Sequence, residues 1–339
     1  MRDNQVELSI SITVYNHENY LEKLFDSILC QKVNFNYEVV IGEDCSTDNS
    51  REIIRRYAQK YDFFKPIFRE KNIGGTANEF DTYQHCTGKY MCIIDGDDFI
   101  IDENRLQRQY EYMESHPDAY WVGARGKIVD ENNNILPYKH FDKVEVLTPE
   151  SLKKFSNMPN LGCFMFKNIF LNDTDRENLS KLLFTHTIIG DWTILLYYLD
   201  KSDVEIFPDY VHCYRKVVNS TASNFNSIYR RQKNKYDVIV ERMQYEQMLN
   251  EYKFDRVSVN YLRSKKAAEL YAALVRDKSL SSRKYGREVY KKEFKPFMTA
   301  KERWTLPIGV IKEYYSYYKI FREHGILKKE TADEIGKKV

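Results

Sequence analysis

No apolar run in these 339 residues approaches the ~20 that a helix needs to cross a bilayer. Met1 to Gln5 lead straight into a strand pattern without the apolar centre of a secretory leader. The expectation is a cytoplasmic protein. No Cys-x-x-Cys pair occurs. The six cysteines (Cys30, Cys45, Cys86, Cys92, Cys163 and Cys213) are scattered, four of them in or beside strand or helix patterns, which favours reduced structural thiols over zinc or disulfides. No Gly-x-Gly-x-x-Gly follows the first strand pattern and no Gly-Lys-Ser/Thr loop exists, so dinucleotide and P-loop sites are excluded. Phosphate must be held through a metal and side chains instead. Internal repeats and low-complexity tracts are also missing, and no nucleic-acid partner is expected.

The formal net charge of +2 conceals a division. Residues 226–339 carry 27 Lys and Arg against 15 Asp and Glu, whereas residues 1–225 carry 25 against 35. An acidic front half suits a cleft that holds a divalent cation, and a basic tail suits an anionic surface or partner.

The acidity concentrates in Cys92-Ile93-Ile94-Asp95-Gly96-Asp97-Asp98-Phe99. Tyr90 to Ile94 read as a buried strand, which lifts three carboxylates to the carboxyl edge where open α/β sheets bind ligands. Crowded acids repel one another unless a cation joins them. Oxygen donors with little Cys or His nearby suit Mg²⁺ or Mn²⁺, ions that commonly accompany phosphate. An EF-hand starting at Asp95 fails, because Ile100 and Leu106 stand where Gly and Glu are required. A polar loop capping a helix is the plainer alternative.

Strand and helix patterns alternate through the first hundred residues. Glu7–Tyr15 is β-branched and alternating; Tyr20–Cys30 spaces Leu21, Leu24, Phe25, Ile28 and Leu29 as a helix. Tyr37–Gly42 is a second strand, Ser46–Ser50 caps a helix over Arg51–Tyr61, Pro66–Arg69 is a short strand, and a helix follows from Thr76 to Cys86. Such alternation predicts an α/β fold, a parallel sheet with right-handed crossovers. Tyr120–Val129 and Leu161–Phe166 read as later strands, with a hairpin tip at Asn132–Asn134. From Ile228 onward, Tyr-rich helical segments replace strands. The expected division is a catalytic domain over 1–225 and a basic helical region over 226–339.

Four motifs fall in order on this frame: Ile12-Thr13-Val14-Tyr15-Asn16, Glu43-Asp44-Cys45-Ser46-Thr47-Asp48, Asp95-Gly96-Asp97-Asp98 and Gly190-Asp191-Trp192. On these, residues 7–220 resemble the family 2 glycosyltransferases, inverting enzymes of the GT-A fold that use nucleotide-diphospho-sugars. The resemblance implies a mixed, mostly parallel sheet and nucleotide-sugar contacts at Thr13, Tyr15, Asn16, Glu43, Asp44, Asp95, Asp97 and Arg215. It makes Asp44 the uracil contact, gives Asp97 to ribose or metal and Asp98 to the metal, and leaves open which acid ligates directly. Tyr15 also reads as a packed aromatic, and Asp48 as a helix cap.

Asp191 is the implied general base. Inversion needs a carboxylate opposite the leaving diphosphate to accept the acceptor hydroxyl's proton, and a helix start favours its ionised form by ~0.3–1 kcal/mol. A simple N-cap is the alternative. Two departures from the family stand out: no His follows Arg215-Lys216 at the usual place, and Ala77 stands where relatives often carry Arg. Arg215 therefore reads either as a phosphate contact or as a strand end.

The implied function is transfer of one sugar, from a UDP-sugar, to a glycan or lipid-linked glycan hydroxyl in surface-polysaccharide assembly. The alternatives are a non-catalytic nucleotide-sugar or glycan-binding scaffold, and a sugar-nucleotidyltransferase, for which Asn16–Asn19 lacks the Gly-rich basic loop. In the tail, Leu306–Leu327 mixes Tyr and Ile with Lys. That composition suits peripheral contact with an anionic inner membrane face, or packing and self-association.

Overall fold

The computed structural model describes residues 5–136, 144–152, 160–185, 190–216, 252, 254–257 and 280–295. By its contacts the chain divides into two compact units, Met1–Phe225 with Asp255–Val257, and Asn226–Phe254 with Ser258–Val339.

The first unit opens with β1 (Leu8–Val14), α1 (Leu21–Leu29), β2 (Tyr37–Glu43), α2 (Ser50–Lys60), β3 (Phe64–Phe68), α3 (Gly75–Gln84) and β4 (Tyr90–Asp95). Each strand-to-strand connection carries a helix, and β1 pairs in parallel with β2 and β4, as β2 does with β3. The central β1 is buried on both faces: Leu8, Ile10 and Ile12 are fully enclosed on one side, Ser9 and Ser11 on the other. Ser9 is satisfied there, its hydroxyl donating to Glu38 at 2.6 Å and accepting the Gly88 N–H at 2.8 Å. The α1 face places Leu21, Leu24, Phe25 and Ile28 against this sheet. Phe25 sits edge-on to Tyr57 and Phe64 at centroid separations of 4.8 and 5.2 Å, and burying such a ring stabilises by about 1.5–3 kcal/mol.

The remaining elements are β5 (Phe99–Ile100), α4 (Arg105–Ser115), β6 (Trp121–Val129), β7 (Ile135–Leu136), β8 (Val146–Leu147), α5 (Pro149–Leu152), β9 (Phe164–Lys167), α6 (Asp173–Thr185), α7 (Gly190–Lys201) and β10 (Val204–Arg215). The sheet runs β3-β2-β1-β4-β9-β6-β10-β5, with β7 on β6 and β8 on β10. Here the sheet turns mixed, because β9 is antiparallel to both β4 and β6. The expected hairpin tip joins β6 to β7, with Asn133 in the left-handed region at φ 67°. Leu161–Cys163 is a 3₁₀ turn rather than the start of a strand.

Among the elements that escaped the sequence pattern are β10 and β5. β10 runs unbroken through Pro208 and Asp209, but its pairing with β6 shifts register on either side of Tyr210. The two-residue β5 pairs with the far end of β10, His212 with Ile100 and Cys213 with Phe99.

In the second unit the described residues include a helix, α8 (Leu280–Val289), continuing into a π turn at Tyr290–Phe294. The segment Leu306–Leu327, with its expected membrane contact, lies outside the described residues. Among the described residues no helix is long and apolar enough to cross a membrane.

Candidate active site

The parallel strands β1, β2 and β4 end together, and their loops converge on that edge. The loops after β1 and β2 are stitched by reciprocal bonds. The Asn16 N–H donates to Ser46 Oγ at 3.0 Å while Asn16 Oδ1 accepts the Thr47 N–H at 2.8 Å. The Glu18 N–H donates to Asp48 Oδ2 at 3.0 Å, and Glu18 Oε2 accepts the Asn49 N–H at 2.9 Å. Asn16 adopts φ 57°, a left-handed conformation that asparagine tolerates better than most residues.

Two residues expected to touch donor have structural duties here. Glu43 is fully buried; its carboxylate accepts the Ser46 N–H at 2.6 Å and pairs with Arg51 at 2.5 Å. Asn16 spends its carboxamide oxygen on the neighbouring loop. Asp44 is 2% exposed, its Oδ1 accepting the Ile73 N–H at 2.7 Å and its Oδ2 the Gly74 N–H at 3.0 Å. Each of those oxygens keeps a second lone pair. Burial raises the Asp44 carboxyl above its ordinary range, against the opposing pull of the two N–H groups. Thr13 and Tyr15 stand half-buried at the β1 edge. Asn72 and Asn78 fasten the start of α3 to β2: Asn72 Nδ2 donates to the Asp44 carbonyl at 3.1 Å and Asn78 Nδ2 to the Gly42 carbonyl at 2.8 Å.

The acid loop follows β4. The Gly96 N–H donates to the Thr13 carbonyl at 3.0 Å, and a β-carbon at Gly96 would stand 2.4 Å from His17 Nδ1, so the loop crosses β1 only because residue 96 has no side chain. Asp98 is buried, and β10 occupies both of its oxygens. Oδ2 lies 2.9 Å from His212 Nε2, and Oδ1 accepts the Arg215 N–H at 2.7 Å. Asp97 receives no hydrogen bond from another described side chain, and Thr13 bonds the Asp95 carboxylate. Asp97 and Asp95 are therefore the acids with fewer protein partners, whereas Asp98 is tied to β10 as a strut, each of its oxygens keeping a second lone pair.

Arg215, which reads from the sequence as a phosphate contact or a strand end, is engaged within the protein. It is 2% exposed, its Nε donates to the Asp97 carbonyl at 2.7 Å, its Nη1 to the carbonyls of Asp130 and Glu131 at 2.9 and 3.2 Å, and its Nη2 to Asn133 Oδ1 at 2.9 Å. The guanidinium lies 4.5 Å from the Tyr20 ring centroid. Every arm is used inside the protein, tying the acid loop to the tip of the β6–β7 hairpin.

Asp191 lies in the first turn of α7, followed by a half-buried Trp192. Sequence reasoning missed Glu79, on α3. A β-carbon at Gly190 would stand 3.1 Å from Glu79 Oε2, which puts that carboxylate beside the start of α7. One helical turn on, Tyr83 is fully buried and its hydroxyl has no hydrogen-bond partner among the described residues. The available signal was position: the first turns of a helix that follows a parallel strand lie near the ligand-binding edge.

Asp191 is exposed and Asp95 and Glu79 half-buried by their own surface, yet enough protein surrounds them that desolvation leads the causes of their shifts. Burial, then repulsion from Asp98, Asp191 and Asp97, raises Asp95 well above the carboxylate range. Burial raises Asp97 and Asp98 likewise, with Asp98 repelling Asp97 and Arg215 opposing. Desolvation raises Asp191, and burial with Asp191 and Asp95 raises Glu79. This donor set, all oxygen and mutually repelling, fits a hard divalent ion. Among the described residues no three such groups converge to hold an ion alone, so the remaining ligands would come from a bound diphosphate and water.

The mixed sheet, its flanking helices and the acids at its carboxyl edge define a GT-A glycosyltransferase fold. Residues 9–178, half of the chain, match glycosyl transferase family 2, and the chain belongs to that family. Staphylococcus aureus TarS 1–349, solved with UDP-GlcNAc, is similar over 94% of this chain and 92% of its own, with a TM-score of 0.57 and 16% identity, a likeness of fold. An uncharacterized protein of Mycobacterium tuberculosis is 38% identical over 113 residues, 33% of each chain. The poly(ribitol-phosphate) beta-glucosyltransferase of Bacillus spizizenii is 32% identical over 120 residues, 35% of this chain and 19% of that one. The chain thus spans a third or less of the length of these two relatives.

Proposed function

We propose that this protein is an inverting, divalent-cation-dependent glycosyltransferase that moves one sugar from a UDP-sugar to a hydroxyl of a glycan or lipid-linked glycan in surface-polysaccharide assembly. The observation that carries the reading is the meeting of two sets of acids at one sheet edge, the Asp95–Asp98 loop and Asp191 with Glu79. The TarS complex with UDP-GlcNAc and the wall-polymer substrate in the name of the Bacillus spizizenii relative support donor and acceptor classes of this kind.

In this reading Thr13, Tyr15 and Asp44 receive the uracil end, and Asp97 with Asp95 would hold Mg²⁺ or Mn²⁺, which when bound would offset the negative charge of the leaving nucleotide diphosphate. Asp191 accepts the proton as the acceptor oxygen bonds to the anomeric carbon and the bond to the nucleotide diphosphate breaks on the opposite face. A raised carboxyl is a stronger base than an ordinary one, which suits that task. Transfer is to a single site rather than processive, since the Gln-x-x-Arg-Trp motif of processive synthases is missing from the sequence.

A panel of UDP- and GDP-sugars incubated with Mn²⁺ tests this by nucleotide release. UDP release from at least one UDP-sugar, suppressed by EDTA, is expected. Release that is indifferent to EDTA, or confined to GDP-sugars, overturns the metal or the donor assignment respectively.

A further inference from the structure

We propose that His212 is a positioning residue for the acid loop: its bond to Asp98 fixes the conformation in which Asp95 and Asp97 meet a nucleotide-sugar diphosphate and its cation. The inference rests on the donor-site reading given above.

At its far end the loop from Asp95 to Asp98 is held by the Arg215 guanidinium on the Asp97 carbonyl and by the bonds to the Asp98 carboxylate. The adjoining β5 pairs with β10 through two residues only. Of the two bonds to the Asp98 carboxylate, the Arg215 N–H is backbone and would be present with any non-proline residue, so His212 is the one side-chain choice. The ring sits in a slot built for it. A β-carbon at Gly162 would stand 2.2 Å from His212 Nε2 and 2.4 Å from Cε1. The Gly162 turn is itself held, its N–H donating to Asn160 Oδ1 at 2.8 Å and the next carbonyl accepting from Gln109 Nε2 at 3.0 Å.

Packing alone does not account for a histidine here. His212 is fully buried and its Nδ1 has no partner among the described residues, a cost that an apolar ring of the same size would avoid. The nitrogen with a task is Nε2, and its task is Asp98. Supporting groups behind a metal-binding residue typically change metal affinity 10–100-fold when removed.

Three variants of the full chain test this: His212→Phe, which keeps the ring and loses Nε2; His212→Gln, whose amide nitrogen reaches a similar place; and Gly162→Ala, which crowds the ring. Two readouts apply, Mn²⁺ affinity in the presence of UDP, and hydrogen exchange at the amides of Asp98 and Ile101, which are bonded to the carbonyls of Asp95 and Val211 at 3.0 Å each. We expect His212→Phe and Gly162→Ala to weaken Mn²⁺ binding by about tenfold or more and to speed exchange at those amides but not in β1, with His212→Gln near wild type. Wild-type affinity and loop exchange in His212→Phe overturn the proposal, as does acceleration spread equally through β1. If His212→Phe does not fold, the contrast between His212→Gln and Gly162→Ala decides in the same way. A wild-type protein that binds neither Mn²⁺ nor UDP removes the donor-site reading itself, whereas intact ligand binding in the variants removes only the strut.

Discussion

Glu79 and Gly190 meet across the cleft: the glutamate Oε2 stands 3.1 Å from where a β-carbon at position 190 would be. A methyl at 190 therefore asks the flexible end of Glu79 to give by a few tenths of an ångström. Gly190→Ala should lower transfer by no more than a few-fold, through the shifted Glu79 carboxylate, while leaving UDP affinity unchanged. Titration calorimetry with UDP and acceptor kinetics separate the two effects; an equal loss of both would mean that the cleft as a whole has shifted.

Burial and the charges of Asp191 and Asp95 raise Glu79 well above the carboxylate range, so Glu79 keeps its proton while Asp191 titrates. Glu79→Gln should therefore leave the acid limb of the kcat/KM profile, where Asp191 gains its proton, close to its wild-type position. A limb that moves to lower pH would mean that Glu79 is charged there.

Asp191→Asn should retain UDP binding and cost roughly 10²–10⁴-fold in transfer, the usual worth of a positioned base. Single-turnover transfer from a UDP-sugar measures it. Survival of the rate within a few-fold returns Asp191 to the role of a helix-start residue.

Arg215→Met leaves the carbonyls of Asp97, Asp130 and Glu131 without their donor. Only the Asp97 carbonyl is buried, whereas Asp130 and Glu131 lie where water can replace the donor, so the loss should be about 1–3 kcal/mol in urea unfolding. Arg215→Lys should recover little, since one ammonium cannot span three arms. An unchanged urea midpoint with weakened UDP binding would instead restore Arg215 as a donor contact.

The raised acids give stability a definite pH sign. Asp95, Asp97 and Asp98 bind protons more tightly folded than unfolded, so the metal-free protein should lose stability as pH rises above the ordinary carboxylate range. A divalent ion offsets the repulsion, and Mn²⁺ should therefore raise Tm more at neutral pH than at pH 5. His17 acts oppositely. Burial lowers it to about 4, so its contribution is present above the ordinary histidine range and is lost as pH falls toward that value. Thermal melts with EDTA or Mn²⁺ across pH 4–8 test both arms.

The first half of the fold was legible because β1, β2 and β4 are buried on both faces and read as continuous apolar or β-branched runs, and because helices α1 and α2 begin and end within a residue of their patterns. The mixed half was not. Register shifts around Tyr210 break the period of β10, so nothing marked His212 as facing Asp98 or Arg215 as pointing inward. Motif matching placed acids at the right edge but could not tell an acid open to ligand from one already bonded. Glu43 depends on Arg51 on the next helix, and Asp98 on residues 114 and 117 positions away.

That separation has a consequence for synthesis on the ribosome. A nascent chain that has emerged as far as α7 already carries Asp44, Asp95, Asp97, Asp98 and Asp191, but neither side of the brace that orders the acid loop. Contacts this distant in sequence form late. The donor site should therefore gain its final shape only after residue 215 has emerged, so that incomplete chains hold the acids without a competent grip on nucleotide-sugar.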